Sequence, residues 1–173
     1  MITDKRLEEI QKYLIWNQGE FVTPTKELFE KSEIFFQNFV RVRDNSGYNW
    51  MNQDGELLSN KRYVYTGSFF NNRAQFTDNS GNNWVNLNGE ELSDKRYFDV
   101  GNFYGNFAIF EGEKVKGFVN YLGLEFNSKL FKFTDNSSLD IQYNAPILGY
   151  MESEYFKRFP KDSLKRFIFE EII

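Results

Sequence analysis

The chain is 173 residues long, with 20 Phe, 10 Tyr and 3 Trp but no histidine and no cysteine, and its formal net charge is −4. That length holds one domain with a real core, and the missing residue types exclude the commonest general base, thiolate chemistry, disulfides and nearly every zinc site. The mild acidity gives no overall attraction to phosphate backbones, although it is compatible with a local basic patch.

In chain order, "TDKRLEEIQKYL" comes first and puts Leu7, Ile10 and Leu14 on one helical face, with Thr3 or Asp4 as N-cap. This predicts an N-terminal helix over 1–14. The segment lacks the apolar core of a signal peptide, and no later window suits a membrane helix, so the expectation is a cytoplasmic address without membrane association. From residue 15 onward the period is that of strands. "FVRVR" (39–43) alternates, with Val40 and Val42 on one face and Arg41 and Arg43 on the other. "DNSG" (44–47) is a turn, "YNWMN" (48–52) a second strand, "QDG" a second turn, and "ELLSNKRYVY" (56–65) a third strand. Ala74 and Phe76, then Ala108 and Phe110, stand where Val40 and Val42 stand, so one apolar stripe recurs down the chain. At the far end "PKDSLKRFIFEEII" carries Leu164, Phe167, Ile168 and Ile172 on one stripe after Pro160, and "SEYFKRF" (153–159) reads as a further short helix.

The recurrence has a fixed period. Phe35, Phe69 and Phe103 are each 34 apart, as are Trp50, Trp84 and Phe118, and as are Gly55, Gly89 and Gly123. Trp16 lies 34 before Trp50 and keeps step with it, whereas after Phe126 the register slips, although "FTDNS" at 76–80 returns at 133–137. About half the positions of the units opening at Phe35 and Phe69 are identical, which predicts stacked copies of one short module.

This pattern resembles the WG-repeat proteins of bacteria. Their unit of similar length runs aromatic-x-x-Gly-x-Ala-x-Val, a turn, Lys-Trp-Gly-Phe-Ile-Asp, and a glycine turn. The resemblance covers about residues 13–126 and is closest in "FYGNFAIFEGEKVKGFVNYLGLEF" (103–126). The family's tryptophan position holds Tyr48, Asn82 and Lys116, and its glycine position holds Asn49, Asn83 and Gly117. Because Asn tolerates left-handed backbone best after glycine, a positive φ is expected there in each unit. The family resemblance implies a binding or scaffolding module and carries over no catalytic residue.

Each candidate site has two readings. The ladder Trp16, Trp50, Trp84 and Phe118 suits a stacking platform for bases or sugars, or a repeated core anchor together with Gly55, Gly89 and Gly123. The repeated Lys61-Arg62-Tyr63 and Lys95-Arg96-Tyr97 suit partner binding, or else edge protection and charge balance against Glu56, Glu90 and Glu91 on neighbouring strands. Lys157, Arg158 and Lys161 interleave with aromatics as in nucleic-acid binders, yet acidic neighbours also make them the solvated face of an amphipathic helix. A carboxylate pair for glycoside hydrolysis is a weaker third case, since Asp44, Asp78 and Asp135 each precede Asn-Ser and read as turn makers. The loops carry too few acidic ligands for calcium, and no motif calls for a metal or cofactor.

Together these features predict a mainly β fold with α caps, a β-rich α+β class, in a single domain over 1–173. It comprises an N-terminal helix (1–14), tandem antiparallel β-meander repeats of about 34 residues (15–145) and a C-terminal helical segment (146–173). The expected function is a non-catalytic protein–protein interaction module: an accessory factor, an immunity protein or an inhibitor of a larger effector. Nucleic-acid or ribonucleoprotein binding through the basic pairs is the alternative, and a strand edge or C-terminal helix offers a homodimer contact.

Overall fold

The structure is a computed structural model that describes residues 2–113 and 116–127. The predicted helical segment 146–173, and the last part of the predicted repeat region, lie outside the described residues. The chain is β-rich and divides into two compact units, Met1–Arg96 and Tyr97–Ile173.

The first unit opens with helix α1 (Asp4–Ile10), whose first turn is capped by the Thr3 hydroxyl accepting from the Arg6 amide at 3.2 Å. The helix ends at Ile10 rather than running to Leu14. Leu14 belongs instead to β1 (Leu14–Asn17), which pairs with β2 (Glu20–Val22) and with β3 (Phe39–Asp44), setting Ile15 fully buried opposite Val42. Burying Ile15 in a sheet outweighs one more helical turn. Between β2 and β3 lies α2 (Lys26–Glu30), which the sequence reading did not identify. It is capped by Thr25 and buries Leu28 and Phe29.

β3 turns back into β4 (Gly47–Asn52), completing a sheet of order β2-β1-β3-β4. The second sheet contains β5 (Tyr65–Thr66), β6 (Arg73–Asp78) and β7 (Gly81–Asn86). Hairpins β3–β4 and β6–β7 share one register, from Asp44↔Gly47 to Phe39↔Asn52 and from Asp78↔Gly81 to Arg73↔Asn86. Both turns form for the same local reason. Oδ1 of Asp44 and of Asp78 accepts the amide two residues on at 2.8 Å, and Gly47 and Gly81 take φ of +138°.

Three expectations change. The predicted third strand over 56–65 is not continuous. Leu57 and Tyr63 make single bridges back to β4, and the chain then crosses over, so that β5 pairs with β6 of the next hairpin. Secondly, Asn49 and Asn83 do not take positive φ. They are buried instead, and each uses its amide to hold the irregular segment that follows. Asn49 Nδ2 donates to the Ser59 and Lys61 carbonyls at 2.7 and 2.9 Å, and Asn83 Nδ2 donates to those of Ser93 and Lys95 at 2.7 Å each. Thirdly, Trp16 is not a copy of Trp50. β1 meets β3 at Leu14↔Arg43 and Ile15↔Val42, just as β5 meets β6 at Tyr65↔Thr77 and Thr66↔Phe76. Trp16 therefore stands where the crossing strand has Gly67, and its 34-residue spacing from Trp50 is coincidental.

Strand alternation sends apolar side chains to both sides of the first sheet. Val40, Val42 and Met51 face one way and pack with Ile15, Ile10, Leu28 and Phe29, joining the helices to the first sheet. Trp50 faces the other way and packs with Tyr63, Phe69, Ala74, Phe76 and Val85, so the apolar stripe of the second hairpin sits against the tryptophan side of the first. Trp50 contacts Phe69 and Tyr63 with ring centroids 5.5 and 5.4 Å apart, and its Nε1 donates to the Gly67 carbonyl at 2.7 Å.

The second unit holds β8 (Asp99–Val100), β9 (Phe107–Glu111), β10 (Lys116–Asn120) and β11 (Glu125–Asn127), in the order β11-β10-β9-β8. Ala108 and Phe110 are buried as the stripe predicts, and Tyr97 packs its ring at a tilt against Phe110 at 4.8 Å, as Tyr63 does against Phe76 at 4.6 Å.

Candidate functional interface

The basic pairs are held by carboxylates of the same chain. Arg62 Nε meets Asp44 Oδ2 at 3.0 Å, Arg96 Nη2 meets Asp78 and Glu91 at 2.7 and 2.8 Å, and Lys61 Nζ meets Glu91 Oε1 at 2.6 Å. Burial raises the proton affinity of the Asp44 and Asp78 carboxyls. The amides of Ser46 and Ser80, with Arg62 and Arg96, outweigh it and hold both below the ordinary carboxylate range. Glu91 is likewise pushed up by burial and brought lower on balance by Lys61 and Arg96. Tyr63 and Tyr97 are buried, the first with its phenol pushed up by burial and the second donating to Glu125 Oε1 at 2.8 Å. In Lys95 the backbone carbonyl is engaged by Asn83. Lys157, Arg158 and Lys161 lie outside the described residues. Lys61, Arg62 and Arg96 thus act first as internal counter-charges, and Glu91 is the acceptor among the three glutamates named from the sequence.

The ladder residues separate by burial. Trp50 and Trp84 are 0 % exposed and Phe118 is 4 % exposed, so their ring faces are not open to a ligand. Gly55, Gly89 and Gly123 take φ of 77°, 80° and 78°, each in a turn whose preceding Asn (Asn52, Asn86, Asn120) gathers two backbone amides on its Oδ1. These positions are anchors and turns.

Trp16 is different, being only half-buried. It lies on the same face of the first sheet as Arg41, Arg43 and Tyr48, because cross-strand partners share a face. This is also the face on which Trp50 is covered by the second hairpin. Trp16 and Phe21 on β1 and β2 are only half-buried among the described residues, so this part of the face carries an accessible strip. Trp16 meets Phe21 edge-on at 5.1 Å, Phe21 meets Tyr48 edge-on at 5.6 Å, and Tyr48 reaches the exposed Tyr65 at 6.5 Å. The Arg41 guanidinium lies 4.0 Å from the Trp16 ring centre, and that of Arg43 lies 4.9 Å from Phe21. Beside Arg43 and Tyr48 is a depression of about 410 Å³, also lined by Lys12, Leu14 and the Asp44–Gly47 turn.

Sequence reasoning placed Arg41 and Arg43 on the face opposite the valines but did not single them out, and it missed Phe21, Tyr48 and Tyr65. The usable signal was divergence between copies. The second unit has Gln75, Thr77, Asn82 and Asp99 where the first has Arg41, Arg43, Tyr48 and Tyr65, although the two units agree at about half their positions. Shared positions carry the fold, so an aromatic and arginine set confined to one copy is not required by it.

Among the described residues no helix is long and apolar enough to cross a membrane, and no three acidic side chains are grouped to hold a metal ion. No family model matches the chain, and neither the curated proteins nor the solved structures contain a detectable relative.

Proposed function

We propose that the chain is a non-catalytic protein-binding module: tandem copies of a WG-like β-meander with helical caps, that present the Trp16–Phe21–Tyr48–Tyr65 strip to another protein. The observation that carries this reading is the partly exposed aromatic and arginine strip on the first sheet. Aromatic side chains and Arg are enriched where protein partners bind most tightly, and here they project from paired strands rather than a mobile loop. Asp44, Asp78 and Glu91 are held ionised by paired cations, the opposite of what a general acid requires. Such a module fits an accessory factor, an immunity protein or an inhibitor of a larger effector.

The test is affinity capture from the native host with the wild-type chain and with the double variant Trp16→Ala/Phe21→Ala, once circular dichroism shows that both are folded. A stoichiometric protein partner retained by the wild type and lost by the variant is the expected result. Equal capture by both would remove the strip from the reading, and nuclease-sensitive capture of RNA or DNA would favour the nucleic-acid alternative.

A further inference from the structure

Several cations of the first unit are neutralised by the fold. Arg6, Lys26, Lys31, Lys61, Arg62 and Arg96 each meet a carboxylate of the chain within 4 Å. Among the described residues Lys5, Lys12, Arg41 and Arg43 meet none. Arg41 donates Nη1 to the Thr66 carbonyl at 3.0 Å, its Nε is buried without an acceptor, and Arg43 is exposed with Phe21 beneath it. In a chain with more acidic than basic residues, Arg41 and Arg43 on one face of the first sheet, with no carboxylate partner among the described residues, are a local excess of positive charge.

Their setting says what would neutralise them. A guanidinium lying against an aromatic ring keeps its N–H donors in its own plane, directed past the ring edge, where they match the two oxygens of a carboxylate. The same stacking covers part of the Trp16 and Phe21 faces, which a nucleobase would need in order to stack. Apolar ring edges around two charge-assisted donors suit a peptide that alternates acidic and apolar side chains. Building on the binding function proposed above, we infer that this strip receives an acidic segment of a partner protein, with the exposed Arg43 taking its carboxylates, Arg41 adding positive charge behind the Trp16 ring, and Trp16, Phe21 and Tyr48 taking the neighbouring apolar side chains. Lys12, at the rim of the depression beside Arg43, adds a third charge and steers the approach.

The test selects phage-displayed random peptides of about 16 residues on the full-length chain, then measures binding of the recovered peptides by fluorescence anisotropy. The expected result is enrichment of Asp and Glu beside apolar residues, and affinity that falls with added salt. Arg43→Glu should weaken binding by at least about tenfold, while Lys5→Glu, on α1, leaves it unchanged. Peptides that bind without acidic enrichment, or that bind Arg43→Glu as tightly as wild type, overturn the inference while the binding function stands. Failure to recover any peptide overturns both. Two further arms identify other occupants: Arg43-dependent binding of an oligo-deoxythymidine of about 20 nucleotides, or Arg43-dependent self-association in sedimentation, would each replace the acidic peptide with a different ligand.

Discussion

Replacing Trp50 with alanine separates the structural tryptophan from the one that only shares its spacing. Trp50 is 0 % exposed, so the substitution removes a side chain that buries about 150–250 Å². At about 25 cal/mol per Å² this is worth ~4–6 kcal/mol, and a denatured chain that is already partly collapsed reduces it by roughly 10–40 %. The result agrees with the ~3–5 kcal/mol usual for truncating a core aromatic. The substitution also strands the Gly67 carbonyl, which loses the indole donor at 2.7 Å. A loss of about 4 kcal/mol is therefore expected, a large part of the roughly 5–15 kcal/mol that stabilises a typical domain. Trp50→Phe keeps a ring against Phe69 and Tyr63 and gives up the hydrogen bond, so it should cost ~1–2 kcal/mol and remain measurable if the alanine variant does not fold. Trp16→Ala loses a half-buried ring and its contact with Arg41, and should cost only ~1–2 kcal/mol. Urea denaturation followed by far-ultraviolet circular dichroism reads all three. If Trp16→Ala and Trp50→Ala destabilised equally, the assignment of Trp16 to the crossing-strand position would be wrong.

Asn49→Asp sets carboxylate oxygens against the Ser59 and Lys61 carbonyls in a buried site and should cost ~3 kcal/mol or more in the same assay. A cost below about 1 kcal/mol would show that those hydrogen bonds do not hold the segment. Gly47→Ala puts a Cβ 2.6 Å from the Tyr63 carbonyl at φ +138°, whereas at Gly19 a Cβ meets nothing within 4 Å and only the φ of +100° is strained. The melting temperature should fall several-fold further for Gly47→Ala than for Gly19→Ala, and equal falls would refute the close approach. The lowered carboxyls of Asp44, Asp78 and Glu91 bind protons more weakly in the folded than in the unfolded chain. Their contribution is thus complete above about pH 4–5 and is lost as pH falls through the folded values. Asp78→Asn/Glu91→Gln should accordingly be less stable than wild type at neutral pH and converge with it near about pH 2, where an undiminished gap would contradict the ion pairing.

Local chemistry made part of this protein legible in its sequence. The Asp44 and Asp78 turns, the alternation that buries Val40, Val42, Ala74 and Phe76, and the glycine turns at 55, 89 and 123 depend on neighbouring residues, and all occur where the pattern puts them. The helix at the N-terminus was legible for the same reason, although its end was not, because Leu14 is claimed by a strand whose partner lies nearly 30 residues away. α2 has only five residues, too few to establish a helical period.

What the tertiary structure decided is non-local. The strand after Tyr63 has hydrogen-bonding groups for either neighbour, and only the approach of the next hairpin assigns it to β6. Likewise the sequence left the basic pairs between partner binding and charge balance against Glu56, Glu90 and Glu91, and only the fold brings Glu91 to Lys61 and Asp44 to Arg62. Arg41 and Arg43 read as ordinary outward residues until the pairing of β1 and β2 brought Trp16 and Phe21 beneath them. A repeat in sequence specifies what each copy is, while the place where one copy stops covering the next is set only when the copies meet in space. On the first sheet that boundary falls between Trp50, packed against the second hairpin, and the half-buried Trp16.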